Sequence, residues 1–200
     1  MLYYERKFKR KGYNLIIGVD EVGRGPLAGP VMAAAVSLRT VRFENRIDDS
    51  KKLSPSQREH AFGEIINKSV FGIGIINELI IDRVNIQVAT RMAMEEAISA
   101  LIKKLKPNRR KGIHIIVDGD IKLDIGFPFT GIIKGDGKSK SIACASILAK
   151  VTRDRIMSLY DRLYPQYGFL KHKGYPTKEL RMALKEFGPS LIHRTSFYGV

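Results

Sequence analysis

Ile16-Ile17-Gly18-Val19-Asp20-Glu21-Val22-Gly23-Arg24-Gly25-Pro26-Leu27-Ala28-Gly29-Pro30 reads as a buried strand that ends in two adjacent carboxylates, then a glycine-rich turn with one arginine. Uncompensated charge beside a core is costly, so two acids at the end of an apolar run ask for a counter-charge. A hard divalent cation such as magnesium, which prefers oxygen ligands, would supply it. The glycines let backbone N–H groups approach an anionic or polar ligand closely. The stretch points to a metal site beside a phosphate-bearing substrate. Neighbouring strand residues face opposite ways. Asp20 and Glu21 therefore share a side only if the strand ends at Glu21 or a bulge re-aims one of them. Gly23, so soon afterwards, favours a strand that ends at Glu21.

Outward from this segment, strands and helices alternate. Leu15 to Val19 reads as the first strand and Val31 to Leu38 as the second, joined through the Gly/Pro turn. Ser54-Pro55-Ser56-Gln57 offers an N-cap serine with proline at the first helical position, so a helix should run to about Asn67. Val70 to Ile76 alternates glycine with bulky residues, which suits a closely packed third strand. Asn85 to Lys104 has apolar residues at helical spacing and is expected to be the longest helix, broken by Pro107 to Lys111. Ile113 to Val117 and Thr130 to Ile133 read as short strands. Ser139 to Leu163 reads as a helix, and Thr177 to Phe187 as a last one stopped by Gly188-Pro189. Residues up to about Lys11 are basic and expected to be loosely held. The order argues for an α/β fold with a mixed sheet and helices on both faces.

Four acids stand out. Asp20 and Asp118 each close an apolar strand, and neighbouring parallel strands would bring such ends together where open α/β sheets bind ligands. Glu21 follows Asp20 directly, and Asp136 lies in a Gly-Asp-Gly turn ahead of a helix, free to reach the same rim. Asp120, Asp124 and Asp154 rank lower; Asp154, between Arg153 and Arg155, fits a salt bridge better. His60, His114, His172 and His193 match no zinc spacing. His114, on a buried strand, reads as structural. His172 and His193, beside Lys173 and Arg194, are candidate phosphate contacts.

Charge narrows the partner class. Thirty-five Lys and Arg against 20 Asp and Glu give a formal net charge of +15 and a sequence pI near 10.0. Such a field favours polyanions, nucleic acid foremost. The lone Cys144 excludes an internal disulfide and fits a reducing compartment, as a buried structural thiol. No stretch approaches the ~20 apolar residues of a membrane span, and the N-terminus lacks the apolar core of a secretory signal. A monomeric cytoplasmic protein without membrane attachment is the expectation.

Several blocks share a family pattern. Asp20 to Pro30, Asp49-Ser50-Lys51-Lys52-Leu53-Ser54, Val117-Asp118-Gly119, Lys134-Gly135-Asp136 with Ser141 to Asp154, His172 to Thr177, and Gly188-Pro189-Ser190 with His193 to Phe197 occur in one order along the chain. Together they closely resemble ribonuclease HII, the type 2 ribonuclease H family. The resemblance implies a ribonuclease H-like fold with a mixed five-stranded sheet flanked by helices and a small C-terminal helical region. The expected division is a catalytic core over 1–155 and a substrate-binding region over 156–200.

The resemblance also implies that Asp20, Glu21, Asp118 and Asp136 are the catalytic acids, holding two Mg²⁺ or Mn²⁺ ions roughly 4 Å apart. The substrates would be RNA/DNA hybrids and duplex DNA with single embedded ribonucleotides, cut to leave 5′-phosphate and 3′-hydroxyl ends. Gly23-Arg24-Gly25 would contact the 2′-hydroxyl, the group that separates RNA from DNA. Lys51 and Lys52 would approach backbone phosphate. Lys173, His193 and Arg194 would add substrate contacts, and Tyr175 would stack on the deoxyribose after the ribonucleotide. Leu180 stands where the family commonly has histidine, which leaves the last helix without an inherited role. The alternatives are a ribonuclease HIII-like enzyme or a non-catalytic duplex-binding protein of the same fold. Against the first, the chain has Arg24 and Asp136 and no room for that family's extra N-terminal domain; against the second, a pure binder of polyanions gains nothing from clustered acids.

Overall fold

A computed structural model describes every residue except 107 and 109. Its strands are β1 (Leu15–Val22), β2 (Val31–Leu38), β3 (Ser69–Ile76), β4 (Ile113–Asp118) and β5 (Phe129–Ile132), in the sheet order β3-β2-β1-β4-β5. The first three form an antiparallel meander, and β4 and β5 extend it in parallel from β1. The sheet is therefore mixed, as the element order predicts. The helices are α1 (Tyr3–Arg10), α2 (Pro55–Lys68), α3 (Glu78–Val84), α4 (Ile86–Lys104), α5 (Lys140–Leu163), α6 (Phe169–His172) and α7 (Lys178–Phe187).

Alternation along the strands separates two cores. Ile17, Val19, Ala33, Ala35, Ile115 and Val117 pack on one face against Ala89, Ala93, Ala97 and Leu101 of α4. On the other face, Ala34 and Val36 meet Ala61 and Ile65 of α2 and the Ala143 to Val151 stretch of α5. A third cluster joins Leu27 and Ala28, after β1, to Met157 of α5, Phe169 of α6, Leu180 and Ala183 of α7, and Ile192. The C-terminal helices thus hold the turn that follows the first strand.

Local signals explain most boundaries. α2 starts in a capping box: Gln57 N–H donates to Ser54 Oγ and Ser54 N–H to Gln57 Oε1. α7 is capped by Thr177, whose Oγ1 accepts from Leu180 N–H. Two expectations need correction, and two short helices were not expected at all. The N-terminal residues are not loose: α1 buries Phe8 against the His114 ring, with centroids 3.8 Å apart, and buries Glu5 as well. The longest helix is α5, with 24 residues against 19 in α4, because it continues past the sheet into the third cluster. α3 and α6 went unforeseen, being too short to show a periodic pattern. The break expected over 107–111 includes the two residues outside the described set, and α4 has already ended at Lys104. Among the described residues no helix is long and apolar enough to cross a membrane.

A candidate active site at the ends of β1 and β4

β1 and β4 lie side by side in register as far as Val19 and Val117, so Asp20 and Asp118 follow on adjacent parallel strands. β1 does not end at Glu21. It stays paired with β2 through Val22, matching Asp20 to Ala34 and Glu21 to Ala33 with no residue to spare for a bulge. The two acids consequently face opposite ways. Asp20 lies on the α5 side, where Ser146 favours its charged form, and Glu21 lies over α4 beside Gln87, Thr90 and Met94. The site straddles the end of the strand.

Asp118 is the common member. It borders a cleft of about 510 Å³ with Glu21, Arg24 and Asp120, and another of about 610 Å³ with Asp49, Lys51, Lys52 and Asp136. Its Oδ1 accepts the Gly135 N–H at 2.6 Å, which ties β4 to the turn carrying Asp136. Asp136 Oδ1 in turn accepts Gly137 N–H at 2.8 Å.

The acids disturb one another. Burial holds the Asp20 carboxyl well above the usual range, with Glu21 and Asp118 adding to it. Burial also raises Glu21; Arg24, 3.5 Å away, opposes this and Asp118 reinforces it. Asp136 is raised by burial, then by Asp118 and Asp49. Burial disfavours the Lys51 ammonium, yet Asp49, Asp136, Asp20 and Asp118 together push it upward. This is crowded negative charge that only protons or cations can relieve.

As the side chains stand, no three His, Cys, Asp or Glu among the described residues are gathered tightly enough to hold one ion. The donors still fit a hard divalent cation chemically. They are carboxylate oxygens only, buried at Asp20 and Asp136 and half-buried at Glu21 and Asp118, and they lie among like charges. Glu21 would leave Arg24 to join them, across a gap that is already long for a hydrogen bond.

The Gly23-Arg24-Gly25 turn rests on two buried arginines. Arg194, with no exposed surface, donates to Gly23 O at 2.6 Å, Arg24 O at 3.1 Å and Gly29 O at 2.6 and 2.9 Å. Arg153, equally buried, donates to Ala28 O, Pro30 O and Lys173 O, joining this turn to the loop before α7. Gly23 has φ +93°, and a Cβ there would run into Arg153 Nε and Pro30 O. Gly25 is exposed and borders Tyr175, whose ring would lie 3.7 Å from an added Cβ. Tyr175 itself is 41% exposed.

Not every sequence candidate reaches the cleft. Arg194 is corrected from a phosphate contact to the scaffold of the turn, because carbonyl oxygens take up its guanidinium. His193 is corrected likewise: it is buried, its Nδ1 faces Ser190, and burial lowers it to about 4, so it stays neutral. Lys173 is half-buried, with Nζ 3.3 Å from Ser158 Oγ. Lys51 and Lys52 remain at the rim, Lys52 near Asp48. Asp154 pairs with Lys150 rather than with its arginine neighbours. His114 is structural, as expected, with Nε2 2.9 Å from Thr130 Oγ1. Asp49 and Arg153 were missed as parts of the site. Both lie within the family-like blocks, but only their burial and partners reveal what they touch.

Comparison with known proteins places the chain in a family. The sequence pattern of the family described as Ribonuclease HII matches residues 17–200. The Ribonuclease HII of Ruminiclostridium cellulolyticum is 53% identical over 199 residues, covering 98% of this chain and 75% of that one. The ribonuclease H2 of Pyrococcus horikoshii OT3 superposes with a TM-score of 0.73 at 26% identity, covering 92% of this chain and 94% of that one. Bst-RNase HIII in complex with Mn²⁺ shares the fold, with a TM-score of 0.68 at 17% identity over 92% of this chain and 67% of that one.

Proposed function

The chain belongs to the ribonuclease HII family and is a ribonuclease H, and from that premise we propose that it cuts the RNA strand of RNA/DNA hybrids and single ribonucleotides embedded in duplex DNA. We assign Asp20, Glu21, Asp118 and Asp136 as ligands of two Mg²⁺ or Mn²⁺ ions. The observation that carries the assignment is the crowding of these carboxylates around Asp118, each of Asp20, Glu21 and Asp136 pushed upward partly by it. The Mn²⁺ bound by the HIII structure supports a divalent cation in this fold. When bound, such ions activate water and stabilise the leaving oxygen of an in-line displacement.

The protein's own groups do the rest. The Gly135 amide holds Asp118 toward the Asp136 turn. Gly23, Arg24 and Gly25 present backbone and guanidinium to the 2′-hydroxyl, while Tyr175, next to Gly25, packs on the following deoxyribose. A hydroxyl on that sugar would crowd the ring, so the pair reads the two sides of one RNA-to-DNA step. Lys51 and Lys52 approach phosphate at the rim. Cleavage leaves 5′-phosphate and 3′-hydroxyl ends. Residues 1–155 would be the catalytic core and 156–200 the substrate-binding region, with α5 shared between them. A monomer in the cytoplasm suits this reading, since one copy carries every named residue and Cys144 is a free buried thiol.

The test is a DNA duplex with one embedded ribonucleotide, incubated with Mg²⁺, Mn²⁺ or chelator. Asp20→Asn or Asp118→Asn removes charge that holds the ions yet makes the groove more positive. Cleavage should fall by orders of magnitude while duplex affinity holds or rises. Normal single-turnover cleavage by both variants would place the chemistry elsewhere. Metal-dependent binding without any cleavage by the wild type would instead indicate a duplex-binding protein.

A further inference from the structure

Glu5 is a buried carboxylate that the proposed reaction does not use. It sits on α1, 7% exposed, and faces the first turn of α5. Its Oε1 accepts three hydrogen bonds: Ser139 Oγ at 2.6 Å, Ser141 Oγ at 2.8 Å and Ser141 N–H at 2.9 Å. Oε2 is buried with no partner. Such burial is expensive. The first turn of a 24-residue helix offsets part of it, because its free N–H groups and the helix dipole favour an anion there. Glu5 serves as an additional N-cap for α5, supplied from a helix more than 130 residues earlier.

The contacts continue into the site. Lys140 N–H donates to Met1 O at 2.6 Å, and Leu2 bridges to Ser139. Ser139 N–H closes back onto Gly135 O at 2.8 Å, enclosing Asp136 in the turn. Gly135 N–H holds Asp118 Oδ1. On the far side, the Ser141–Ile142 backbone lies against β1 at Gly18, two residues before Asp20. The serines bonded to Glu5 thus touch, through backbone, the segments bearing Asp136 and Asp20, and reach Asp118 at one remove through the Gly135 amide.

We propose that Glu5 is a positioning residue for the metal site: by locking Ser139 and Ser141 it fixes the 135–139 turn, so that Asp136 and Asp118 present their oxygens together. The proposal rests on the metal assignment above. Two glycines flank Asp136, so a turn without this lock must be ordered at the moment of binding, and that ordering weakens affinity.

The experiment compares Mn²⁺ affinity by calorimetry, in the absence of substrate, for wild type, Glu5→Ala, Glu5→Gln and Ser141→Ala. Circular dichroism reports folding, and half-saturating Mg²⁺ and the KM for a hybrid duplex are measured in parallel. Glu5→Ala should bind Mn²⁺ about tenfold more weakly, the low end for outer-shell partners of metal ligands. Its half-saturating Mg²⁺ should rise alike while KM for the duplex stays within about twofold. Glu5→Gln, which keeps an acceptor oxygen, should recover part of the loss. A folded Glu5→Ala with wild-type Mn²⁺ affinity overturns the proposal. If Glu5→Ala does not fold, Ser141→Ala decides by the same measure, since it removes one bond and leaves the charge. A wild type that binds no Mn²⁺ would refute the metal assignment itself, whereas variants that match a Mn²⁺-binding wild type refute only the lock.

Discussion

Tyr175 stands on the loop between α6 and α7, with its ring beside Gly25 and its loop tied to the Gly-Arg-Gly turn by Leu27 N–H to Gly174 O at 2.7 Å. At 41% exposure it packs no core, so Tyr175→Ala should leave the melting temperature nearly unchanged. Activity should fall far more on a single embedded ribonucleotide than on a long hybrid, where many positions can be tried. Equal losses on both substrates would assign the ring to packing. His193 makes a different prediction. Burial keeps its imidazole neutral down to about 4, whereas in the unfolded chain it protonates near 6.5. Between those values the unfolded chain binds more protons, so stability falls as pH drops from about 6.5 toward 4. The full contribution is on the order of 3 kcal/mol. A ring proton resonance of His193 that titrates near 6.5 in the folded protein would contradict this.

β3 carries the sharpest demand on an element. Its sequence alternates glycine with bulkier residues, and Gly72 and Gly74 face α4 so closely that a Cβ would strike the Ala97 and Ala93 carbonyls. The helix lies almost on the strand backbone, which is why its facing positions are alanines. Gly74→Ala must push α4 away or distort the strand, and overpacking of this kind costs about 1–3 kcal/mol. A denaturant midpoint equal to wild type would show that the helix yields freely. β1 illustrates the opposite case. Its hydrophobic run stops at Val19 and Gly23 forces a turn, but pairing with β2 carries the strand on to Val22. Backbone hydrogen bonds to a neighbour, which local composition does not encode, set its end.

Across the molecule, a net charge of +15 coexists with a cluster of mutually destabilising acids. Lys51, Lys52, Lys134 and Lys138 border the same cleft as Asp118 and Asp136, so the polyanion-binding field surrounds the anionic centre. Affinity for a hybrid duplex, measured with the Asp20→Asn variant to prevent turnover, should weaken steeply with salt. Neutralising Lys51 or Lys52 should lower the slope of log affinity against log salt by about one for each phosphate that the variant no longer neutralises. An affinity that stays flat from low to moderate salt would exclude a polyanion groove.

Strand and helix positions were legible because they rest on local signals: the continuous apolar run of β2, the Ser54 and Thr177 caps, and the glycines of β3. Asp20 and Asp118 were legible as candidates too, since an acid after an apolar strand needs a reason wherever it occurs. What the residues face was not legible. Asp20 and Glu21 point to opposite sides because β2 pairs beyond both of them. Arg153 and Arg194 disappear under the Gly-Arg-Gly turn because carbonyls from distant segments converge on their guanidinium groups, and α1 is ordered because Glu5 finds serines on α5. Local sequence specifies which backbone conformation a residue prefers. Burial, charge coupling and the partners of a buried polar group depend on segments brought together by the fold, and only the tertiary structure decides them.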